Sequence, residues 1–185
     1  QYFMEHDWSV KELQKHILLS SAYRQISVPN MEGESVDIEN RLVWRQNRKR
    51  LEFEPMRDAI LAVSGELDLA VGGPPIEMAD ETVMNRRTVY GLVERQNMAA
   101  FIKNFDFASP DIHNPKRFTT IVPQQALFLM NSPFVLEQAR NLEIRANCCS
   151  DDSIGGRITR IFELTLQRMP TSVEMERLTE FISRT

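Results

Sequence analysis

The chain has 185 residues, 42% hydrophobic and 26% charged, with a formal net charge of −4. That balance excludes a disordered chain, and the acidic excess gives no global attraction to nucleic acid or anionic membrane. No run approaches the roughly 20 apolar residues of a membrane-spanning helix.

Gln1 to Trp8 reads as the tail of an upstream segment, because Tyr2, Phe3 and Trp8 are bulky residues that preceding chain normally covers. Ser9 and Glu12 have capping-box spacing. Val10, Leu13, Ile17 and Ser20 then follow one face, predicting an amphipathic helix over Ser9 to Arg24. Val28 to Ser35 carries Pro29, Asn30 and Gly33 and reads as a loop. Asp37 to Trp44 reads as a short helical piece with Ile38, Leu42 and Val43 inward, followed by the basic stretch Arg45 to Arg50.

Glu54 and Pro55 suit the first turn of the next helix. Met56, Ala59, Ile60, Val63 and Leu67 give it an apolar stripe, and it is expected to end near Gly65 to Asp68. Gly72-Gly73-Pro74-Pro75 is the strongest break in the chain. Glu77 to Arg86 is expected to be irregular, and Thr88 to Val93 to be a short strand or extended segment. A brief helix over Asn97 to Phe105 leads to a loop over Asp106 to Thr120.

Pro123 opens a helix through Met130, and Ser132-Pro133 restarts it through about Ala146. Asn147 to Ser153 is a polar break. Ile158, Ile161 and Phe162 then mark another amphipathic helix, and Thr171 with Glu174 caps a final one through Val173, Leu178, Phe181 and Ile182. The expected fold class is mainly α: an irregular multi-helix domain with long loops and room for one short strand or hairpin. Residues 1–185 are expected to be a single domain, with residues 154–185 as a C-terminal helical hairpin.

Several segments in order resemble a known family. They are Trp8-Ser9-Val10-Lys11 with Ile17 to Arg24, Asn40 to Arg45, Met56 to Ala59, Ala62 to Leu67, Gly72-Gly73-Pro74, Arg86 to Tyr90, and Arg117 to Asn131. Together they resemble the planctomycete-type domain of unknown function 1553 from about Trp8 to Thr185. The resemblance implies a large exported bacterial protein, periplasmic or at the cell surface, in which this domain follows another uncharacterised one and accompanies a cytochrome-c-like haem module. It also implies a helical segment upstream of Trp8, so that this chain is expected to be a fragment. It implies no reaction.

Among candidate sites, the cluster Arg86, Arg87, Tyr90 and Arg95 with Arg117 is the first place to look for an anion or sugar-acid ligand, since arginine forks grip carboxylates. The competing and stronger reading is structural clamping of helix ends and loop carbonyls. Arg57 and Asp58 read as a structural ion pair. The basic run Arg41, Arg45, Arg48, Lys49 and Arg50 has the charge to follow a phosphate backbone, but only Trp44 and Phe53 supply aromatics, and nucleic acid is not an expected partner. His6, His16 and His113 lack metal-ligand spacing. Ser64-Gly65 lacks a nucleophile elbow. The methionines, including Met56, Met84, Met98 and Met130, read as adaptable core packing.

Cys148 and Cys149 are adjacent. Neighbouring Cα atoms about 3.8 Å apart fall short of an ordinary disulfide span, so a vicinal bridge would be strained. No cofactor is expected in this chain, and c-type haem is implied only elsewhere in the parent protein, because CxxCH is absent.

No catalytic residue is assigned. The leading expectation is a non-catalytic scaffold or interaction module whose partners are the neighbouring domains, with a haem protein or polysaccharide-related partner beyond them. The alternative is a glycan-active enzyme domain whose paired carboxylates meet only in the fold. Nucleic-acid binding through Arg41 to Arg50 is the weaker alternative.

Overall fold

The computed structural model describes residues 1–78, 85–95, 98, 100–148 and 153–184. They form two compact units, Gln1–Arg50 and Leu51–Thr185. The described residues are mainly α-helical, as expected.

In the first unit, α1 (Tyr2–Glu5) packs on α2 (Val10–Leu18). Tyr2 stacks between His6 and His16, with ring centroids 3.9 and 4.0 Å away, and Phe3 meets Trp8 edge-on. Ser9 caps α2 by accepting the Glu12 N–H at 3.3 Å. The helix stops short of the expected Arg24. Ser20 Oγ donates to the Ile17 carbonyl and accepts the Tyr23 N–H, closing a turn there instead.

Two further expectations are corrected in this unit. The Val28 to Ser35 segment holds a helix, α3 (Met31–Val36), because the Asn30 side chain accepts the Gly33 N–H at 2.6 Å as a cap. Asp37 to Trp44, conversely, is a set of turns. Asn40 and Val43 take positive φ (56° and 55°), which a helix does not accommodate. The buried Asn40 amide then donates to the Arg45 carbonyl and Asn47 Oδ1. Ile38, Leu42 and Val43, expected inward, are exposed.

Gly33 is fixed by a close approach. A β-carbon there would fall on the Trp44 ring, which is itself anchored by Nε1 donating to the Asp37 carbonyl at 2.8 Å. Gly33→Ala is expected to destabilise this unit by about 1–3 kcal/mol through overpacking. Trp44 fluorescence in a Trp8→Phe background checks it, and an unchanged spectrum and urea midpoint would rule the crowding out.

In the second unit, α4 (Phe53–Ser64) packs on α7 (Pro133–Asn147) and on a 3-10 turn at Thr88–Tyr90. Gly65, at φ 91°, ends α4 within the expected span. The buried stripe is rotated from expectation: Phe53, Arg57, Leu61 and Ser64 are buried, while Met56, Ala59, Ile60 and Val63 line a groove toward Val135, Ala139 and Leu142 of α7.

The main core joins Phe53, Met78, Ile102 and Phe105, with Met56, Met98, Phe101, Phe107 and Phe128 against it. Ring centroids from Phe53 to Phe101 and Phe105 lie at 5.6 and 5.7 Å, and Phe128 completes the cluster. Met56, Met78 and Met98 thus serve packing, Met130 is exposed, and Met84 lies outside the described residues.

The expected strand over Thr88 to Val93 is the 3-10 turn followed by an isolated parallel bridge between Gly91 and Ile76. A second isolated bridge joins Asp68 to Arg86, and no strand occurs among the described residues. Capping of Thr88 by Asp58 curls the chain where β-propensity alone favours extension.

Of the helix expected over Asn97 to Phe105, Ala100–Lys103 is helical (α5), while Asn97 and Ala99 lie outside the described residues. The remaining helices, α6 (Pro123–Asn131), α7, α8 (Ile154–Leu166) and α9 (Ser172–Arg184), follow the sequence closely. The capping box at α9 is complete: Thr171 N–H and Oγ1 donate to Glu174, whose own N–H returns to Thr171 Oγ1. With the Arg168 fork as the main cause and Thr171 adding to it, the Glu174 carboxyl is lowered to about 2. Cys148 is exposed, and Cys149, with the bridge considered between the two, lies outside the described residues.

Candidate functional site

Helix α4 sets out its polar side chains one turn apart, so Glu54 and Asp58 share a face. Both line a cleft of about 390 Å³ with Arg87, Thr88, Phe107 and apolar residues of the Thr88 to Val93 segment. Asp58 Oδ1 accepts from Thr88 N–H (2.7 Å) and Oγ1 (2.6 Å), while Oδ2 faces Arg87 Nε at 3.6 Å. Arg57, expected to pair with Asp58, meets it at Thr88: its Nη1 donates to the Arg86 carbonyl and to Thr88 Oγ1, whose hydroxyl donates on to Asp58, and its guanidinium lies over the Phe134 ring.

Glu54 is gripped bidentately by Arg117 at 2.7 Å on both oxygens, and the same guanidinium reaches Glu52 at 2.8 Å and covers the Phe107 ring. Burial pushes the Glu54 carboxyl up, but the Arg117 hydrogen bonds, the local backbone amide and the Arg117 charge outweigh it, and the net shift is down. A depressed folded pKa stabilises the fold above the unfolded value of about 4.5, and that contribution is lost as pH falls through the lower folded value. Glu54→Gln is therefore expected to melt below wild type at neutral pH, with the gap closing in acid. Parallel thermal melts from neutral pH to pH 3 check this, and a pH-independent gap would exclude the ionic origin.

The arginine cluster divides. Arg86 and Tyr90 come together: the guanidinium stacks 4.3 Å from the Tyr90 ring centroid and donates to the carbonyls of Ala70, Gly72 and Pro74, while Tyr90 Oη accepts the Gly72 N–H. This clasp holds the Gly72-Gly73 turn, where both glycines have positive φ. Arg87 faces the cleft, and Arg117 adjoins it through Glu54 and Phe107. Arg95 shares no partner with these four among the described residues, meeting Pro110 and Asp111 instead.

Sequence reasoning passed over Glu54, Thr88 and Phe107. Only the four-residue spacing of Glu54 and Asp58 signalled their shared face. No group of His, Cys, Asp and Glu able to hold a metal occurs among the described residues, and no described helix is long and apolar enough to cross a membrane. Ser64, the other hydroxyl considered, is buried against the Leu61 carbonyl and Gln138 Oε1.

A family model described as PSD1, protein of unknown function (DUF1553), matches residues 1–182. The chain belongs to that family, and the match takes in Gln1 to Asp7 as well as the segment from Trp8. No curated protein and no solved structure matches the chain.

Proposed function

We propose that this chain is a non-catalytic interaction module of a larger exported bacterial protein, docking on neighbouring domains and helping to orient a haem-bearing or carbohydrate-related partner. One observation carries the docking role. None of the buried apolar side chains falls within Gln1–Arg50, where Ile26, Met31, Val36, Ile38 and Leu42 are all exposed. A unit of that size gains too little from burial to stand unaided, and an extensive exposed apolar surface marks an interaction site. Export and haem company are drawn from the family resemblance.

The test is capture of the parent protein's neighbouring domains by this chain and by an Ile26→Asp/Ile38→Asp variant. Specific capture that the variant loses, with its circular dichroism unchanged, supports the reading. No capture, or turnover of a substrate by the isolated chain, overturns it.

The α4 cleft favours a second reading, a glycan-active domain, because it gathers two partly buried carboxylates. Hydrolysis needs one of them to deliver a proton. Arg117 holds Glu54 as the anion, which argues for contact with a glycan rather than its cleavage.

A further inference from the structure

We propose that the cleft beside α4 binds one ring of a neutral sugar without cleaving it. The site deepens the second reading above and is independent of the docking surface in Gln1–Arg50. Its volume, about 390 Å³, lies in the range of small-ligand pockets.

The polar wall is built from Glu54, Asp58, Arg87 and Thr88, and the remainder from Pro55, Met78, Val89, Val93 and Phe107. A pyranose ring has the matching division, with hydroxyls around its edge and C–H groups on its faces. Both carboxylates are already oriented by protein donors, so little ordering remains to be done when a ligand arrives. Asp58 Oδ1 is filled by its two bonds from Thr88, but Asp58 Oδ2 and the Glu54 oxygens keep a lone pair each for a charge-assisted bond from a hydroxyl.

Charge selects among ligands. Glu54 is matched by Arg117 and Asp58 by Arg87, so the wall offers local donors and acceptors with no uncompensated charge to draw in an ion. The separation of Arg87 Nε and Asp58 Oδ2, 3.6 Å, is longer than a direct hydrogen bond. A hydroxyl can join the two, accepting from the guanidinium and donating to the carboxylate. Arg87 is about half exposed, with its side chain at 53%, and is reachable from solvent. A cationic side chain from a partner would instead meet two carboxylates that already have their counter-ions.

The experiment is saturation-transfer NMR of the full chain with cellobiose, maltose and diacetylchitobiose, beside galacturonate and arginine amide. Wild type is expected to transfer to at least one neutral disaccharide and more weakly to both charged probes. Arg87→Ala, which removes the donor, and Val89→Trp, which fills the cleft from an exposed position without touching a polar group, are each expected to weaken binding about tenfold or more. If Arg87→Ala melts early, Val89→Trp decides alone. No transfer to any neutral sugar, preference for a charged probe, or binding unchanged in Val89→Trp overturns the proposal. None of these outcomes bears on domain capture, so the two readings fail separately.

Discussion

Phe53→Ala is expected to remove about 3–5 kcal/mol of stability from the Leu51–Thr185 unit, the range for deleting a buried phenyl ring. The ring is 1% exposed and touches Phe101 and Phe105, so its loss leaves a cavity that the aromatic neighbours close only partly. In a chain of this length, the loss corresponds to a melting point lower by roughly 6–20 °C. Thermal unfolding followed by circular dichroism measures it. A drop of only a degree or two would mean that the cluster repacks freely and is not the core of the unit. Because Phe53 precedes Glu54 in the first turn of α4, the same substitution is expected to loosen the cleft.

Asp58→Ala is the second large effect, at about 2–4 kcal/mol. It strands the Thr88 N–H and hydroxyl, and an orphaned buried donor costs about 1–3 kcal/mol. Thr88 is 4% exposed, so water cannot readily replace the lost acceptor. Asp58→Asn keeps an oxygen in place and is expected to recover about half of the loss. Urea unfolding of both variants separates acceptor from charge. If asparagine proves as damaging as alanine, the negative charge beside Arg57 and Arg87 matters more than the bonds to Thr88.

The C-terminal half was the more legible in sequence because its helix signals are local. Pro123, Ser132-Pro133 and Thr171 with Glu174 each announce a boundary within four residues, and α6, α7 and α9 begin there. Asn30, Asn40 and Ser20 behaved otherwise. Their side chains bond the backbone in competition with helix formation, and whether such a residue caps, breaks or turns a helix depends on which amide it reaches. The site was legible only in its residue types. Arg117 and Glu54 lie 63 positions apart, and nothing in sequence spacing assigns Arg117 to a carboxylate or Arg86 to three carbonyls. The rotated stripe of α4 has a similar origin: Arg57 could take an inward position only because Thr88, the Arg86 carbonyl and the Phe134 ring receive it.

Arg145 ties the end of one helix to another made much later in the chain. From α7 its Nη1 donates to the carbonyls of Ala62 (2.8 Å) and Val63 (2.7 Å) in the last turn of α4. The partners are 83 and 82 residues apart. At synthesis speeds of roughly 5–20 residues per second, the carboxyl end of α4 emerges some 4–17 s before its clamp is made. Over that interval Thr88, Phe101 and Phe105 emerge as partners for the first turns of α4, but its last turn still lacks the Arg145 bonds, and helix ends fray. Slower translation between these segments lengthens the time for which the carboxyl end of α4 stands without its Arg145 clamp.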